Sequence, residues 1–222
     1  MARRKEILAT GEIYHVFNRS IDNKTIFNSS IELNRFLNLI RFYGCLRPIR
    51  FSKLTVQQRE LMIKKNGGEP IVEIICYCLM PNHFHLLLKQ LNEGGITSFL
   101  RKISDGYSRY FNLIHHRAGP LFQNNFKAVR IATNEQLLHV SRYIHLNPLT
   151  AYLVNNLDDY RWSSYHEYIS SSDLRNSDFT CNKKLILDQF KKKSGYRAFV
   201  LDNANYQKKL KEIQYLLIEN PT

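Results

Sequence analysis

The chain has 222 residues, of which 44% are hydrophobic and 23% are charged. These proportions are typical of a globular protein with a sizeable core and exclude a mostly disordered chain. Lys and Arg number 32 against 19 Asp and Glu, which gives a formal net charge of +13. This excess favours a polyanionic partner, with nucleic acid ahead of an acidic membrane surface. Neither a membrane-spanning stretch nor a secretory signal is predicted.

The positive charge lies mainly in the two flanks of the chain. Residues 1–68 contain 13 basic and 5 acidic residues, and residues 171–222 contain 10 and 6. The middle, residues 69–170, contains 9 and 8 and is nearly neutral. This layout predicts a chemical core with basic attachments that contact phosphates.

The four cysteines do not have the spacing of a structural zinc site. Cys76 and Cys78 lie two residues apart in an apolar run, and no second pair completes a set of four ligands. We therefore expect buried thiols in a reducing cytosol.

The first third of the chain predicts a strand, a helix and a basic arm. Residues 12–20 are rich in β-branched and aromatic residues, and Ser29 with Glu32 has the capping-box spacing that begins a helix ending near Tyr43. Residues 44–68 form an inserted basic arm, in which Thr55 begins a short helix. The candidate phosphate contacts in this arm are Arg47, Arg50, Lys53, Arg59, Lys64 and Lys65.

The middle of the chain predicts a hairpin followed by a long helix. Residues 71–80 and 83–90 are two strand-like runs separated by Pro81-Asn82, a turn dipeptide. From Ile96, apolar residues recur at spacings of three and four as far as His116, which indicates an amphipathic helix.

The next elements complete a recognisable order. Residues 121–132 predict another strand, and Thr133 begins a helix that Pro148 is expected to end. The order is that of an α+β, ferredoxin-like split βαβ fold with an antiparallel sheet and one further helix. We divide the chain into a catalytic domain at 1–170 and a basic, mainly helical extension at 171–222.

Two histidines carry the sharpest chemical signal. His83 and His85 lie at alternate positions of a strand, so both imidazoles point to one face while Phe84 enters the core. Paired imidazoles can hold a divalent metal together with other ligands. A solvent-facing strand whose outward residues happen to be histidines is the competing interpretation.

A polar stripe on the helix after Thr133 strengthens the metal-site interpretation. Tyr143 and Asn147 lie one turn apart on this stripe. A deprotonated phenol can attack a phosphodiester that a metal polarises, and an amide oxygen can complete the metal site. A packed aromatic is the alternative for Tyr143, while Tyr107 and Tyr110 match the apolar stripe of their own helix. We interpret His145 as structural.

Four stretches together resemble one known family. They are MPNHFHLLL (80–88), GPLFQNNFKAVRI (119–131), YIHLNPLTAYLVNN (143–156) and YRWSSYHEY (160–168). In this order they resemble the REP-associated tyrosine transposases, a branch of the single-strand insertion-sequence transposases within the HUH endonuclease superfamily. The resemblance covers about residues 10–170.

The resemblance implies a ferredoxin-like fold and a role for each matching residue. His83 and His85 would be metal ligands, Tyr143 the nucleophile and Asn147 the residue that completes the metal site. The implied cofactor is Mg²⁺ or Mn²⁺. The implied partner is single-stranded DNA next to hairpins formed by palindromic repeats, with no membrane partner.

The expected function is cleavage and rejoining of single-stranded DNA through a 5′-phosphotyrosine intermediate. A non-cleaving, domesticated regulator that binds DNA hairpins is the main alternative, and a metal-dependent hydrolase that uses water is another. The expected location is the cytoplasm, in association with the bacterial nucleoid. A monomer and a homodimer both remain open.

Overall fold

The computed structural model describes residues 7–47, 49–64, 68–123, 125–170, 181–202 and 204. Three predictions fall outside these residues: the phosphate contact at Lys65, most of the linker at 171–182, and the part of the helical extension beyond residue 204. Within the described residues, the fold contains four strands and seven α-helices.

The centre of the fold is one antiparallel sheet of four strands. They are β1 (Ile13–Arg19), β2 (Val72–Met80), β3 (His83–Gln90) and β4 (Lys127–Ile131), in the order β2-β3-β1-β4. Each neighbouring pair is antiparallel. With a helix after β1 and another after β3, this order confirms the predicted ferredoxin-like arrangement.

Three helices cover one face of the sheet: α1 (Ser30–Tyr43), α2 (Val56–Lys64) and α3 (Gly95–Ile114). The even-numbered residues of β1 and β3 point into this layer, where Val16 and Phe84 are fully buried. Phe84 packs against Phe36 of α1, with ring centroids 5.2 Å apart. This layer forms the larger of two hydrophobic clusters.

The other face is covered by the remaining helices: α4 (Asn134–Thr150), α5 (Tyr165–Ile169), α6 (Lys184–Leu187) and α7 (Lys193–Leu201). Ile144 of α4, Tyr168 of α5 and Tyr196 of α7 meet in the second cluster. The last two described helices therefore pack against the layer that contains α4. None of the helices in the described part of the chain is both long and apolar enough to cross a membrane.

The structure contains the capping hydrogen bonds that the sequence predicts at the starts of the helices. Ser29 Oγ accepts a hydrogen bond from the Glu32 amide, and the Glu32 carboxylate accepts one from the Ser29 amide. Thr55 and Gln58 exchange the same pair of bonds at the start of α2. Thr133 Oγ1 accepts from the Gln136 amide at the start of α4. Each cap satisfies amides that the first helical turn leaves unpaired.

Two predicted boundaries were wrong. The strand expected over 121–132 is regular only over Lys127–Ile131, and before it Phe122 forms an isolated antiparallel bridge with Ser20. The helix α4 continues through Pro148 to Thr150. Pro148 lacks a backbone N–H and so removes one helical hydrogen bond, while the residues from Pro148 to Thr150 are all buried.

The cysteines and the hairpin agree with expectation. All four cysteines are buried and none is in a disulfide. Pro81 and Asn82 form the tip between β2 and β3, where Met80 pairs with His83.

Candidate active site

The two histidines of the His-x-His motif lie side by side on the α4 face of the sheet. The ring centroids of His83 and His85 are 5.0 Å apart, and the ring planes are nearly perpendicular. His85 is 5% exposed, whereas His83 is half-buried at the edge of the site. Alternation along β3 accounts for this placement, since Phe84 points into the opposite layer.

The helix α4 brings Tyr143 to these histidines. The Tyr143 ring lies 5.6 Å from the His85 ring, edge to face, and its side chain is 37% exposed. Asn147 lies one turn further along α4, is 1% exposed, and donates from Nδ2 to the Tyr143 carbonyl at 3.0 Å. The predicted nucleophile and a predicted ligand are therefore in contact, and the side chain of Tyr143 is accessible to solvent.

The environment of Tyr143 works against ionisation of its phenol. Partial burial raises the pKa of Tyr143 above its ordinary value of 10, while a hydrogen bond with Asn147 and the charge of Arg19 act to lower it. The net direction is upward, so the phenol is protonated at neutral pH. A nucleophilic role requires that the proton be lost when the substrate is bound.

His15 of β1 is a site residue that the sequence reasoning missed. Its Nε2 atom lies 3.0 Å from Nδ1 of His85, and its ring is 5.9 Å from that of Tyr143. Burial lowers the pKa of His15 to about 4, so this imidazole is neutral at physiological pH. His15 and Phe17 occupy alternate positions of the predicted strand, so sequence indicates that they share a face. Only the pairing of β1 with β3 shows that His15 contacts His85.

The same face of β1 also presents a cation to the site. Arg19 pairs with His83 in the strand register and is exposed, and its guanidinium donates to Asn23 Oδ1 at 3.3 Å. Phe17 lies between Arg19 and His15, with its ring 5.7 Å from that of His85. Lys127 of β4 adds a second cation beside these residues, since its ammonium lies 6.0 Å from the centre of the Phe17 ring.

The donors of the site suit a divalent cation. Two imidazoles and an amide oxygen are borderline ligands that Mn²⁺ accepts more readily than Mg²⁺ does. Within the described residues, no group of three or more His, Cys, Asp or Glu side chains could hold a metal. A site at His83 and His85 therefore needs the Asn147 amide, or an oxygen of the substrate, as a further ligand.

Two further candidates, one tyrosine and one histidine, are accounted for by packing. Tyr107 is fully buried and donates to the Ile26 carbonyl, which fits its interpretation as core. His145 is also fully buried, with Nδ1 2.7 Å from Tyr196 Oη and Nε2 2.8 Å from Ser164 Oγ. Both ring nitrogens of His145 are thus used within the core.

The basic arm lies in the helical layer on the opposite face of the sheet from His85. Arg47 is 6% exposed and donates to the carbonyls of Phe42 and Met62, so it is not arranged to contact a phosphate, contrary to expectation. Arg59 donates to the Phe51 carbonyl and packs over that ring. The exposed cations of the arm are Arg50, Lys53 and Lys64.

Fold and site together define an α+β protein with a histidine pair and a tyrosine on one side of a ferredoxin-like sheet. Residues 47–147 match the family model of the IS200-like transposases. This segment includes both histidines of the motif, Tyr143 and Asn147. The match confirms the predicted resemblance to the insertion-sequence transposases.

A solved structure has a similar fold. The REP-associated tyrosine transposase bound to a REP hairpin is matched with a TM-score of 0.54 and 16% identity, over 82% of this chain and 93% of that chain. A candidate transposase from Deinococcus radiodurans is matched with a TM-score of 0.37 and 13% identity, over 64% of this chain and 95% of that chain. A comparison with curated proteins gave no match.

Proposed function

We propose that this protein is a metal-dependent tyrosine endonuclease and strand transferase that acts on single-stranded DNA next to hairpins. The observation that carries the proposal is the contact of Tyr143 with His85, at 5.6 Å between ring centroids, beside the second histidine of the motif. The match to the IS200-like transposases over residues 47–147 supports the same class of reaction. The fold shared with a hairpin-bound transposase supports the choice of DNA substrate.

His83, His85 and Asn147 would hold the divalent cation, either Mn²⁺ or Mg²⁺. When bound, this ion withdraws charge from a phosphate oxygen. Arg19, exposed beside His83, adds a fixed positive charge for the same phosphate. Because Asn147 is almost fully buried and bonded to the backbone of Tyr143, it couples the position of the metal site to that of the nucleophile.

Tyr143 performs the covalent step. Its hydroxyl oxygen forms a bond to phosphorus as the bond from phosphorus to the 3′ oxygen breaks, and the 3′ oxygen takes up a proton. The products are a 5′-phosphotyrosine and a free 3′-OH. The 3′-OH of another strand reverses the reaction and rejoins the DNA, because the phosphodiester is exchanged rather than hydrolysed. No ATP is required.

A covalent-capture assay with strand-specific labels tests the proposal. Single-stranded hairpin DNAs from the flanks of the gene are incubated with protein and Mn²⁺ or Mg²⁺, then separated on a denaturing gel. A label at the 3′ end should migrate with the protein, and a label at the 5′ end should appear in a shortened free strand. EDTA should abolish both products.

Two variants make the assay specific. Tyr143→Phe should abolish the adduct. Tyr152→Phe, at an exposed tyrosine outside the candidate active site, should preserve it. Cleavage without an adduct would instead support a hydrolase that uses water. Binding without cleavage would support a non-cleaving hairpin regulator.

A further inference from the structure

The two histidines of the motif each use the same ring nitrogen for a contact within the protein. His83 Nδ1 lies 2.6 Å from Oδ1 of Asn82, the neighbouring turn residue. His85 Nδ1 lies 3.0 Å from Nε2 of His15, on the adjacent strand. Asn82 directly precedes His83 in the chain, whereas His15 lies 70 positions from His85.

The contact at Asn82 has a defined direction. The Asn82 amide nitrogen donates to the Asn23 carbonyl at 3.2 Å, so its amide oxygen faces His83. An amide oxygen only accepts, and His83 must therefore donate from Nδ1. A neutral imidazole with its proton on Nδ1 has its lone pair on Nε2, the nitrogen through which it can bind a metal.

The hydrogen bond between His15 and His85 can run in either direction, but only one direction allows Nε2 of His85 to bind a metal. Where His85 donates from Nδ1, its lone pair is on Nε2, as in His83. Where His15 donates instead, Nε2 of His85 carries the proton and cannot bind a metal. The near-parallel rings of His15 and His85, at an interplanar angle of 24°, bring the two nitrogens together.

We propose that Asn82 and His15 are positioning residues that hold His83 and His85 in the Nδ1–H tautomer, so that both present Nε2 to a divalent cation. The inference rests on the proposed function, because it takes the two histidines as metal ligands. Metal-bound histidines commonly donate their second N–H to such a partner, which fixes the tautomer and the ring orientation. His15 is thereby a support of the site and not a third ligand, since its Nε2 is committed to His85.

Nuclear magnetic resonance on the metal-free protein tests the tautomers directly. Long-range ¹H–¹⁵N spectra of ¹⁵N-labelled histidine rings distinguish Nδ1–H from Nε2–H, and the rings are assigned through the backbone. We expect His83 and His85 both as Nδ1–H in the unaltered protein. Finding either residue as Nε2–H would overturn the proposal, and this measurement requires no variant to fold.

Variants then separate the two supports. Asn82→Ala should shift only His83 towards the Nε2–H tautomer, which imidazoles prefer in water. His15→Phe should shift only His85 in the same way. Each should weaken Mn²⁺ binding, measured with Mn²⁺ alone by electron paramagnetic resonance, about 10- to 100-fold. His15→Gln should restore much of the affinity, because its amide oxygen can accept from Nδ1 of His85. His116→Gln, at an exposed histidine away from the site, is the control.

The outcomes distinguish this inference from the proposed function. If the tautomers are as stated but no DNA adduct forms, the positioning role stands and the nuclease assignment fails. If the adduct forms while His15→Phe leaves both the His85 tautomer and Mn²⁺ affinity unchanged, the role of His15 is wrong and the nuclease assignment stands.

Discussion

Tyr143 must lose a proton to act as a nucleophile, and its surroundings raise its pKa above the ordinary value of 10. Below that pKa, the phenolate fraction rises about tenfold for each pH unit. We therefore expect the rate of adduct formation to increase steadily from pH 6 to pH 9 at saturating metal. A rate that is independent of pH over this range, with DNA binding unchanged, would contradict attack by the phenolate.

Arg19 provides a second test at the level of a single residue. Its positive charge acts to lower the pKa of Tyr143, so Arg19→Ala should displace the pH profile to higher pH. The expected rate at pH 7 is about 3 to 10 times lower, because a smaller fraction of Tyr143 is then ionised. Arg19→Lys keeps the charge and should recover most of the rate. Lys24→Ala, at another exposed cation of the same segment, should have little effect.

The residues of the site differ in how far sequence alone could predict them. His83 and His85 share a strand, and Tyr143 and Asn147 share a helix, so local periodicity places each pair on one face. His15 and Arg19 enter through the register of β1 against β3, which pairs residues about 70 positions apart. No local pattern encodes that register, and their contribution becomes visible only in the folded sheet.

Among the described helices, α7 contacts α4 close to Tyr143. Tyr196 Oη lies 2.7 Å from His145 Nδ1 and donates to Ser141 Oγ at 3.2 Å. Arg142 donates to the Phe199 carbonyl, and its guanidinium lies 4.4 Å from the centre of the Phe199 ring. These contacts hold α4 on both sides of Tyr143 along the chain.

The contacts of Tyr196 predict a measurable loss of stability. Tyr196→Phe leaves buried polar groups of α4 without their partner, so we expect the free energy of unfolding to fall by about 1–3 kcal/mol. Urea unfolding followed by circular dichroism measures the change. Tyr152→Phe, at a tyrosine that is 61% exposed, should change it by less than about 0.5 kcal/mol. Equal losses in the two variants would contradict the anchoring role of Tyr196.

The starts of the helices could be predicted from the sequence because caps are local. Two other element boundaries could not, because they depend on tertiary contacts. A cap such as Ser29 with Glu32 is complete within four residues. The last residues of α4, from Pro148 to Thr150, are buried, and the pairing of β1 with β4 is broken between Lys127 and the isolated bridge of Phe122 with Ser20. Tertiary contacts decide both boundaries, so local signals misplace them.

For the whole molecule, the net charge of +13 predicts DNA binding that weakens with salt. In the described part of the arm between α1 and β2, the exposed cations are Arg50, Lys53 and Lys64. Replacing all three with Ala should reduce the slope of log affinity against log salt by up to about 2, at about 0.7 per phosphate contact on a single strand. Fluorescence anisotropy with a labelled hairpin between 50 and 300 mM salt measures this slope.

A buried cation of the same arm is the matched control. Arg47→Met removes a charge whose guanidinium is bonded to the Phe42 and Met62 carbonyls. It should lower the stability of the protein but leave the salt slope unchanged. If the triple variant retains the original slope, the arm does not contact phosphates, and its basic residues serve another purpose.

The most direct test of the central claim is to locate the covalent bond itself. The DNA adduct is digested with nuclease and trypsin, and the tryptic peptide 143–161, which contains Tyr143, Tyr152 and Tyr160, is fragmented by tandem mass spectrometry. The account predicts a 5′-nucleotide attached through phosphate to Tyr143 alone. A nucleotide on Tyr152 or Tyr160, or cleaved DNA with no modified peptide, would contradict it.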